Sequence, residues 1–350
     1  MRPRRCATAL LAIGILAIAG IGSMPALATA PGANGKIAFR RYLDPQHTMS
    51  ALFTANPDGS AVHQITHPGE GVLDIEPDWS PNGKKIVFQR GDANGCGNGC
   101  ETEEIDVVSS DGSNLKRLAF DSAGKGCMRN DAYAGGVCRE VPAWSPDGRR
   151  IAFECSTLSS AARNPYLGRI CVMKADGSNV RQLSQTQTAG VDASAPSWSP
   201  DGRRIAFQRA VENSDGEAIR DAVFVMNSNG GALREVTPWL LRAGQPDWSP
   251  DGKRILFYSN WTGPSDVSAN LYTIGASGGG LKQLTHANGG TVQHLSATYS
   301  PDGKWIVFGK KPGAGKEGNA DIFVMRANGT HVRNVTRSTV WDSGADWGPR

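Results

Sequence analysis

The chain has 350 residues, of which 39% are hydrophobic and 20% charged, and its formal net charge is +4 at pH 7. Residues 1–30 carry three arginines and no acid, so the rest of the chain has a net charge of +1. A nearly neutral chain gives no support for nucleic-acid binding, which requires a concentrated basic face, and no nucleic-acid partner is expected.

Residues 1–30 are typical of a secretory signal peptide. Arg2, Arg4 and Arg5 form a basic start, residues 7–22 are apolar, and residues 28–30 (Ala-Thr-Ala) are a small-residue cleavage site. A retained membrane anchor is the alternative, but the apolar run is short for a membrane span. We therefore expect export to the periplasm or the cell exterior, with no membrane span after cleavage and a single domain over residues 31–350.

Beyond the leader, one pentapeptide recurs: Trp-Ser-Pro-Asp-Gly, followed by a basic residue, a spacer and Ile-x-Phe. Proline presets φ for a tight turn, aspartate can bond back to its own backbone, and glycine takes the conformation that a β-carbon would forbid. Such a turn folds one strand onto the next. We expect the aromatic residue to lie between neighbouring sheets, where a large ring buries most area. The copies start at Trp79, Trp144, Trp198, Trp248 and Tyr299.

A second element follows each copy. It reads apolar-x-Val-Met, then Asp-Gly-Ser or a variant of it, then Leu-Thr, and an Asp-Gly or Asn-Gly pair between two alternating runs is a hairpin signal. One unit is therefore four short strands. From Trp79 to Trp347 the aromatic residues are 48 to 65 residues apart. This period, with four strands in each unit, predicts a β-propeller rather than a helical solenoid.

Each end of the chain holds part of a unit. Residues 34–39 include an Ile-x-Phe without the pentapeptide, and residues 345–349 include the aromatic residue without an Ile-x-Phe. The C-terminal segment is expected to add its strand to those at residues 36–40, 51–55 and 62–66. The sequence thus predicts an all-β chain: a six-bladed β-propeller of four-stranded antiparallel blades, closed by pairing of the N- and C-terminal segments, which removes an exposed sheet edge.

This pattern resembles the WD40-like repeat of the TolB-type six-bladed propeller family, and the resemblance covers residues 35–349. It implies a periplasmic protein whose propeller docks other proteins, including a peptidoglycan-associated lipoprotein, and has no catalytic activity. TolB carries an α/β domain ahead of its propeller. Because about five residues separate the predicted cleavage site from the first strand here, only the propeller is carried over. We expect a monomer without a cofactor.

Six cysteines follow the leader, and an even number in an exported chain predicts three disulfides, although fifteen pairings are possible. Cys155 follows an Ile-x-Phe and Cys171 opens the next strand, so a bridge between these two is expected. The others lie in Gly-rich insertions at about residues 91–103 and 121–140, which are interpreted equally as recognition loops or as stapled surface insertions. A zinc site is the less favoured alternative, because no histidine lies near these cysteines. They are Cys96, Cys100, Cys127 and Cys138.

In propellers of this type the first strand of each blade lines the central channel, and the residues leading into it form one rim. Convergent polar groups at a concave mouth are candidates for a binding site. The equally weighted alternative is a solvated rim whose opposite charges pair. No catalytic residue and no metal ligand is expected. The rim candidates are Asp74, Glu76, Arg139, Glu140, Asp192, Arg242, Gln245, His294 and Asp342.

The aspartates of the repeat are interpreted as structural. Those of Pro-Asp-Gly should bond within their turns, and those directly before the aromatic residue (Asp78, Asp247 and Asp346) should be local hydrogen-bond partners. Calcium loops of the Asp-x-Asp-x-Asp-Gly kind are absent from the sequence. A Gly-x-Ser-x-Gly string at residues 275–279 falls where the other units have a hairpin, so it is not interpreted as a nucleophile elbow.

The sequence therefore predicts an exported, non-catalytic scaffold that binds another cell-envelope or secreted protein at the channel rim. The alternative is a carbohydrate-active lyase or hydrolase with its site in the central channel. Related propeller lyases that cleave oligogalacturonides use a metal bound by His and Gln, and the rim here offers one of each, His294 and Gln245. An enzyme needs a tight cluster of acid, base or metal ligands, whereas a docking face tolerates scattered charges.

Overall fold

A computed structural model describes residues 32–92, 103–119, 137–157, 168–184, 191–212, 218–260, 268–287, 292–312 and 318–350. Within them the chain is almost entirely β, with one short 3-10 helix at Trp239–Leu241. The strands are β1 (Asn34–Tyr42), β2 (Ser50–Ala55), β3 (His63–Gln64), β4 (Val72–Trp79), β5 (Lys85–Asp92), β6 (Glu103–Ser109), β7 (Lys116–Ala119), β8 (Val137–Trp144), β9 (Arg150–Thr157), β10 (Gly168–Lys174), β11 (Arg181–Gln182), β12 (Val191–Trp198), β13 (Arg204–Glu212), β14 (Ala218–Asn227), β15 (Arg234–Glu235), β16 (Ala243–Trp248), β17 (Arg254–Ser259), β18 (Asn270–Gly275), β19 (Lys282–Gln283), β20 (Val292–Tyr299), β21 (Trp305–Pro312), β22 (Asp321–Arg326), β23 (Arg333–Asn334) and β24 (Asp342–Pro349).

The strands pair into four-stranded antiparallel groups, which we call blades. Four separate sheets are blade 3 (β8–β11), blade 4 (β12–β15), blade 5 (β16–β19) and blade 6 (β20–β23). One larger sheet contains blade 1 (β24, β1, β2 and β3) and blade 2 (β4–β7), which a single parallel bridge between Ser50 and Leu73 connects. The predicted all-β propeller class is confirmed. The groups seen in the described ranges favour our interpretation of a six-bladed ring.

The last strand pairs with the first. β24 runs antiparallel to β1, with Trp347 opposite Ile37 and Asp342 opposite Arg41. Arg41 donates from Nε and Nη2 to the two carboxylate oxygens of Asp342, at 2.7 and 2.8 Å. The Asp342 side chain is fully buried. A buried ion pair therefore lies across the pairing of the two terminal segments.

The Ser-Pro-Asp-Gly turns are held by their own side chains. In one copy the Ser199 hydroxyl donates to Asp201 at 2.5 Å and accepts from the Arg204 N–H at 2.9 Å. Asp201 also accepts the Arg203 N–H at 3.0 Å, and Gly202 has a φ of +65°. The structural interpretation of these aspartates is confirmed. The same serine–aspartate bond recurs at Asp147, Asp251 and Asp302.

The core lies between neighbouring blades. Trp198 is 1% exposed and packs in one cluster with Ala152 and Ile170 of blade 3 and with Phe207 of its own blade. The predicted position of the aromatic residue between sheets is therefore confirmed. The phenylalanine of each Ile-x-Phe, or its equivalent, is at most 1% exposed: Phe39, Phe88, Phe153, Phe207, Phe257 and Phe308.

Glycines in the Asp-Gly and Asn-Gly hairpins allow neighbouring blades to approach closely. Gly177 of blade 3 has a φ of +91°, and a β-carbon there would lie 1.9 Å from the Leu118 carbonyl oxygen. Leu118 lies in the last strand of blade 2. Glycine is thus required both by the left-handed backbone and by the contact. The same approach to a preceding blade is made by Gly59, Gly112, Gly230 and Gly329.

A disulfide joins Cys155 of β9 to Cys171 of β10, and both residues are buried. The predicted bridge between these two cysteines is confirmed. Cys138 lies in β8, but its side chain is not described, and Cys96, Cys100 and Cys127 lie outside the described residues, as do residues 1–30. Their pairing and the signal peptide stay predictions.

Candidate functional site

The first strand of each blade has the same irregularity. Three residues before the aromatic residue, φ is positive, between +47° and +57°. At the same place the pairing with the next strand shifts register. Such a bulge bends a strand and redirects a side chain. The residues with this backbone are Glu76, Val141, Ala195, Gln245, Ser296 and Gly344.

All of these residues line one cavity of about 120 Å³, and we call them the bulge ring. The ring presents one carboxylate, one amide, one hydroxyl and two apolar side chains to a common opening. A non-glycine residue in a sparsely populated backbone region costs about 1–3 kcal/mol, and such strain clusters at binding and active sites. Repetition of this strain around one opening makes the bulge ring the candidate site.

Amide side chains support the bulge ring from neighbouring blades. Gln89 Oε1 of blade 2 accepts the Val141 N–H at 3.3 Å. Gln208 Oε1 of blade 4 accepts the Gln245 N–H at 3.3 Å, and Gln245 Oε1 in turn accepts the Ser296 N–H at 3.0 Å. These bonds satisfy backbone groups that lose their ladder partners at a bulge. The ring is therefore coupled across blade boundaries.

Three aspartates lie just beyond the bulge ring and reach across to the next blade. Asp346 accepts the Trp79 N–H at 2.8 Å, Asp78 accepts the Trp144 N–H at 2.7 Å, and Asp247 accepts the Tyr299 N–H at 2.8 Å. All three carboxylates also line a second cavity of about 40 Å³. The prediction that they bond locally is incomplete. Asp247 and Asp346 do interact with the backbone of the next residue, Trp248 and Trp347, but each of the three aspartates also bonds to the blade that follows its own.

These three carboxyl groups have raised pKa values. Burial raises the pKa of Asp247 to about 7, although the Tyr299 N–H opposes the shift. Burial likewise raises the pKa of Asp346 to about 6, against the Trp79 N–H. The pKa of Asp78 lies well above its usual range because of burial and the negative charge of Asp346. Carboxylates that line one small cavity oppose each other's ionisation.

The raised pKa of Asp247 predicts a pH-dependent effect of Asp247→Asn. The unfolded chain has an aspartate pKa of 3.8, so between about pH 4 and 7 the folded protein binds more protons, and stability falls as pH rises. The loss of stability caused by the charged Asp247 carboxylate is fully present above pH 7 and absent below pH 4. We expect Asp247→Asn to raise the unfolding free energy by about 2 kcal/mol at pH 8, because it removes the buried charge. This is less than the full pKa shift would give, since the side chain borders a cavity and solvent screens part of the charge. Thermal melting at pH 4, 5 and 8 measures it.

Asp302 is the matched control for this prediction. Although its partial burial opposes the shift, hydrogen bonds from Ser300 and the Lys304 N–H lower its pKa, so its charge stabilises the fold. Asp302→Asn should therefore destabilise the protein at pH 8. Equal melting temperatures for the wild type and Asp247→Asn at pH 8 would contradict the raised pKa.

Two of the predicted rim acids lie in ion pairs within their own blades. Asp74 is fully buried and binds Arg90 at 2.6 Å, and Arg90 also contacts Asp106 at 3.1 Å. Asp342 is fully buried and binds Arg41 at 2.7 Å. Burial raises the pKa of Asp342 although Arg41 opposes the shift.

The other predicted rim residues, except Glu76 and Gln245, do not belong to the bulge ring. His294 is 8% exposed, its Nδ1 lies 3.0 Å from the Ala269 carbonyl oxygen, and burial lowers its pKa. Asp192 accepts the Gly168 N–H. Arg242 is exposed at the end of the 3-10 helix, with a φ of +48°. Arg139 and Glu140 lie in β8, where the side chains are not described. Of the candidates with described side chains, Glu76 and Gln245 belong to the bulge ring.

Sequence reasoning missed the rest of the bulge ring, namely Val141, Ala195, Ser296 and Gly344. The available signal was a proline that follows the bulge residue in several copies. Proline has no N–H to donate to a ladder, so within sheets it marks an edge, a strand start or a bulge. The prolines are Pro77, Pro142, Pro196 and Pro246.

No three His, Cys, Asp or Glu side chains of the described residues are arranged to hold a metal ion. The part of the chain that the structure describes also contains no helix long and apolar enough to cross a membrane.

Curated relatives match parts of the chain. It is 28% identical over 261 residues to the uncharacterized peptidase YuxL of Bacillus subtilis, which covers 74% of this chain and 31% of that protein. It is 27% identical over 210 residues to the uncharacterized protein Atu1656 of Agrobacterium fabrum, which covers 60% and 61% of the two chains. The chain therefore spans less than two thirds of the length of either relative.

The fold is also that of a solved structure. The crystal structure of TolB from Acinetobacter baumannii superposes with a TM-score of 0.66 at 18% identity, covering 90% of this chain and 67% of that chain. The sequence model of the TolB beta propeller domain matches residues 129–260 and 159–350. Since these two segments together span more than half of the sequence, the chain belongs to the TolB beta-propeller domain family.

Proposed function

We propose that this chain is an exported, non-catalytic propeller that binds a cell-envelope or secreted protein at the bulge ring. The observation that carries the proposal is the convergence of six left-handed bulge residues on one cavity. Membership of the TolB beta-propeller domain family supports it, because the resemblance to TolB implies a propeller that docks other envelope proteins.

The chemistry of the bulge ring favours recognition over catalysis. Glu76, Gln245 and Ser296 each offer one polar group of a different kind, which suits hydrogen bonding to a protein segment. Burial raises the pKa of Glu76, while the positive charge of Arg40 opposes the shift. The carboxylates beyond the ring already accept backbone N–H groups from neighbouring blades, so their part is to hold the blades together.

The Cys155–Cys171 disulfide supports export. Disulfides persist in oxidising compartments and are rare where thiols are kept reduced. A periplasmic or extracellular location therefore suits a buried bridge between two central strands of blade 3.

A capture experiment tests the proposal. The purified protein is immobilised and exposed to an extract of the cell envelope, in parallel with Glu76→Lys/Gln245→Lys and with Leu233→Lys. Leu233 is 48% exposed in the hairpin between β14 and β15, outside the bulge ring. We expect a discrete protein to be retained by the wild type and Leu233→Lys and lost from the double variant. Equal retention by all three proteins would refute binding at the bulge ring.

A further inference from the structure

Positive charge is concentrated at one end of the blades. At this end, the Ser-Pro turn before the second strand of a blade bonds to the hairpin before its last strand. The Ala175 N–H donates to the Arg149 carbonyl oxygen at 2.9 Å, and the Ala276 N–H donates to the Lys253 carbonyl oxygen at 2.8 Å. We call this end the turn end. Its segments are the turns at residues 80–85, 145–150, 199–204, 249–254 and 300–305 and the hairpins at residues 56–63, 109–116, 174–181, 227–234, 275–282 and 326–333.

The hairpins of neighbouring blades lie against one another's last strands. A β-carbon at Gly112, in the hairpin of blade 2, would lie 2.8 Å from the Ile65 carbonyl oxygen of blade 1. In the same way, a β-carbon at Gly59 of blade 1 would lie 2.3 Å from the Val335 carbonyl oxygen of blade 6. The hairpins are therefore a continuous series on the same end of the protein.

The segments of the turn end have a net charge of +9, whereas residues 31–350 together have a net charge of +1. They contain sixteen lysines and arginines against seven aspartates, and Lys84, Arg149 and Arg203 are among the exposed cations. All seven aspartates have lowered pKa values and are counted as charged; at Asp176 the hydrogen bonds from Ser178 lower the pKa. The low net charge of the whole sequence therefore conceals a basic surface.

Each hairpin places an exposed aliphatic residue within this basic surface. A residue with a φ between +52° and +61° comes first, then the aliphatic residue, then Lys, Arg or His. The aliphatic side chains are 43–52% exposed and so lack part of the stabilisation that burial gives. Among the described residues, six of the ten exposed large apolar side chains occupy this one position. They are Val62, Leu115, Val180, Leu233, Leu281 and Val332.

We propose that the turn end binds the surface of a membrane that contains anionic lipids. The lysines and arginines attract the anionic headgroups, and the aliphatic side chains between them enter the boundary between headgroups and acyl chains. A membrane presents the same chemistry over its whole surface, so it can meet the repeated pair of aliphatic and basic residues in several blades at once. An acidic protein would need a separate complementary patch for each blade.

The inference does not depend on the proposed function. None of the segments of the turn end lines the cavity at the bulge ring. The protein could therefore lie on a membrane through the turn end while the bulge ring binds its partner.

Vesicle flotation tests the proposal on the exported protein, once mass spectrometry shows that residues 1–30, whose apolar run would itself bind lipid, are absent. We expect the protein to float with phosphatidylcholine vesicles that contain phosphatidylglycerol. Its affinity for vesicles of phosphatidylcholine alone should be at least about tenfold weaker. Added salt should weaken binding to the anionic vesicles, because ions screen the charges.

Charge reversal locates the contact. Arg203→Glu/Lys253→Glu should weaken binding to the anionic vesicles at least about tenfold, because it reverses two exposed charges of the turn end. The matched control is Arg220→Glu/Arg337→Glu, which reverses two exposed charges outside the turn end. This control should leave the affinity unchanged.

A second pair of variants tests the apolar contribution. Leu115→Ser/Leu281→Ser removes two aliphatic side chains of the turn end and should weaken binding at least about threefold. Ile219→Ser/Leu240→Ser removes two that are 49% and 69% exposed outside the turn end, and it should bind as the wild type does.

Melting curves show that each variant is folded before its affinity is compared. Absence of flotation with the anionic vesicles, or equal binding to phosphatidylcholine alone, would overturn the proposal. Equal losses in the turn-end variants and their controls would overturn the location, and unchanged binding of Leu115→Ser/Leu281→Ser would overturn the apolar contact. Binding to soluble polyglutamate without binding to vesicles would overturn the membrane in favour of an acidic protein.

Discussion

Arg41→Ala is expected to lower the unfolding free energy by about 3 kcal/mol. It removes the partner of Asp342, a fully buried carboxylate, and leaves that charge uncompensated at the pairing of β1 with β24. The loss should be larger at pH 8 than at pH 5. Without Arg41 the pKa of Asp342 rises further, and the buried group can take up a proton as the pH falls. Urea denaturation at the two pH values measures the effect.

Arg40 supplies the matched control. It is the neighbouring residue of β1 and donates to the uncharged Ser343 hydroxyl of β24 at 3.0 Å. Arg40→Ala should therefore cost only about 1 kcal/mol, the usual net contribution of hydrogen bonding to a neutral partner, and its pH dependence should be smaller than that of Arg41→Ala, because Arg40 acts on the Glu76 carboxyl group through its charge alone and not through a hydrogen bond. If the two variants lost the same stability, the buried ion pair would not be what holds the terminal strands together.

Gly177→Ala is expected to cost about 3 kcal/mol, through two separable causes. A residue with a β-carbon at a φ of +91° is strained by about 1–2 kcal/mol. The added carbon would also lie 1.9 Å from the Leu118 carbonyl oxygen, so blades 2 and 3 must separate locally. Denaturant unfolding of the variant gives the total.

Gly279→Ala isolates the first cause. Gly279 has a φ of +87°, but a β-carbon there would meet nothing within 4 Å. Its substitution should therefore cost about 1–2 kcal/mol, from backbone strain alone. The difference between the two variants measures the contact between blades. A Gly177→Ala variant no less stable than Gly279→Ala would show that this contact is not tight.

Much of the fold can be predicted because each repeat contains the local interactions that form its turns and hairpins. Ser199, Asp201 and Gly202 build a turn from side-chain bonds and one left-handed residue, so the strands on either side follow from the sequence alone. The Cys155–Cys171 bridge is predictable for the same reason, since both residues occupy adjacent strands of one hairpin. Local spacing decides these features.

The candidate site is less predictable because it depends on which blades are neighbours. The sequence predicts Asp78 and its equivalents as local hydrogen-bond partners, yet each of them also accepts an N–H from the next blade. Arg254 shows the limit most clearly, because it occupies the same repeat position as Arg204. Arg204 lies over the indole ring of Trp248 in the next blade, whereas Arg254 bonds to Thr273 of its own blade and the next blade has Tyr299 in place of the tryptophan. The repeat spacing alone does not predict this difference.

Site-specific photo-crosslinking tests most directly whether a protein partner binds at the bulge ring. A photoreactive phenylalanine analogue is placed at Gln245 in the bulge ring or at Leu233 in an exposed hairpin, and each protein is irradiated in an envelope extract. The proposal predicts a discrete adduct from position 245 that is absent from position 233 and is lost when Glu76→Lys is added. Identical adducts from both positions, or an adduct from position 233 alone, would contradict binding at the bulge ring.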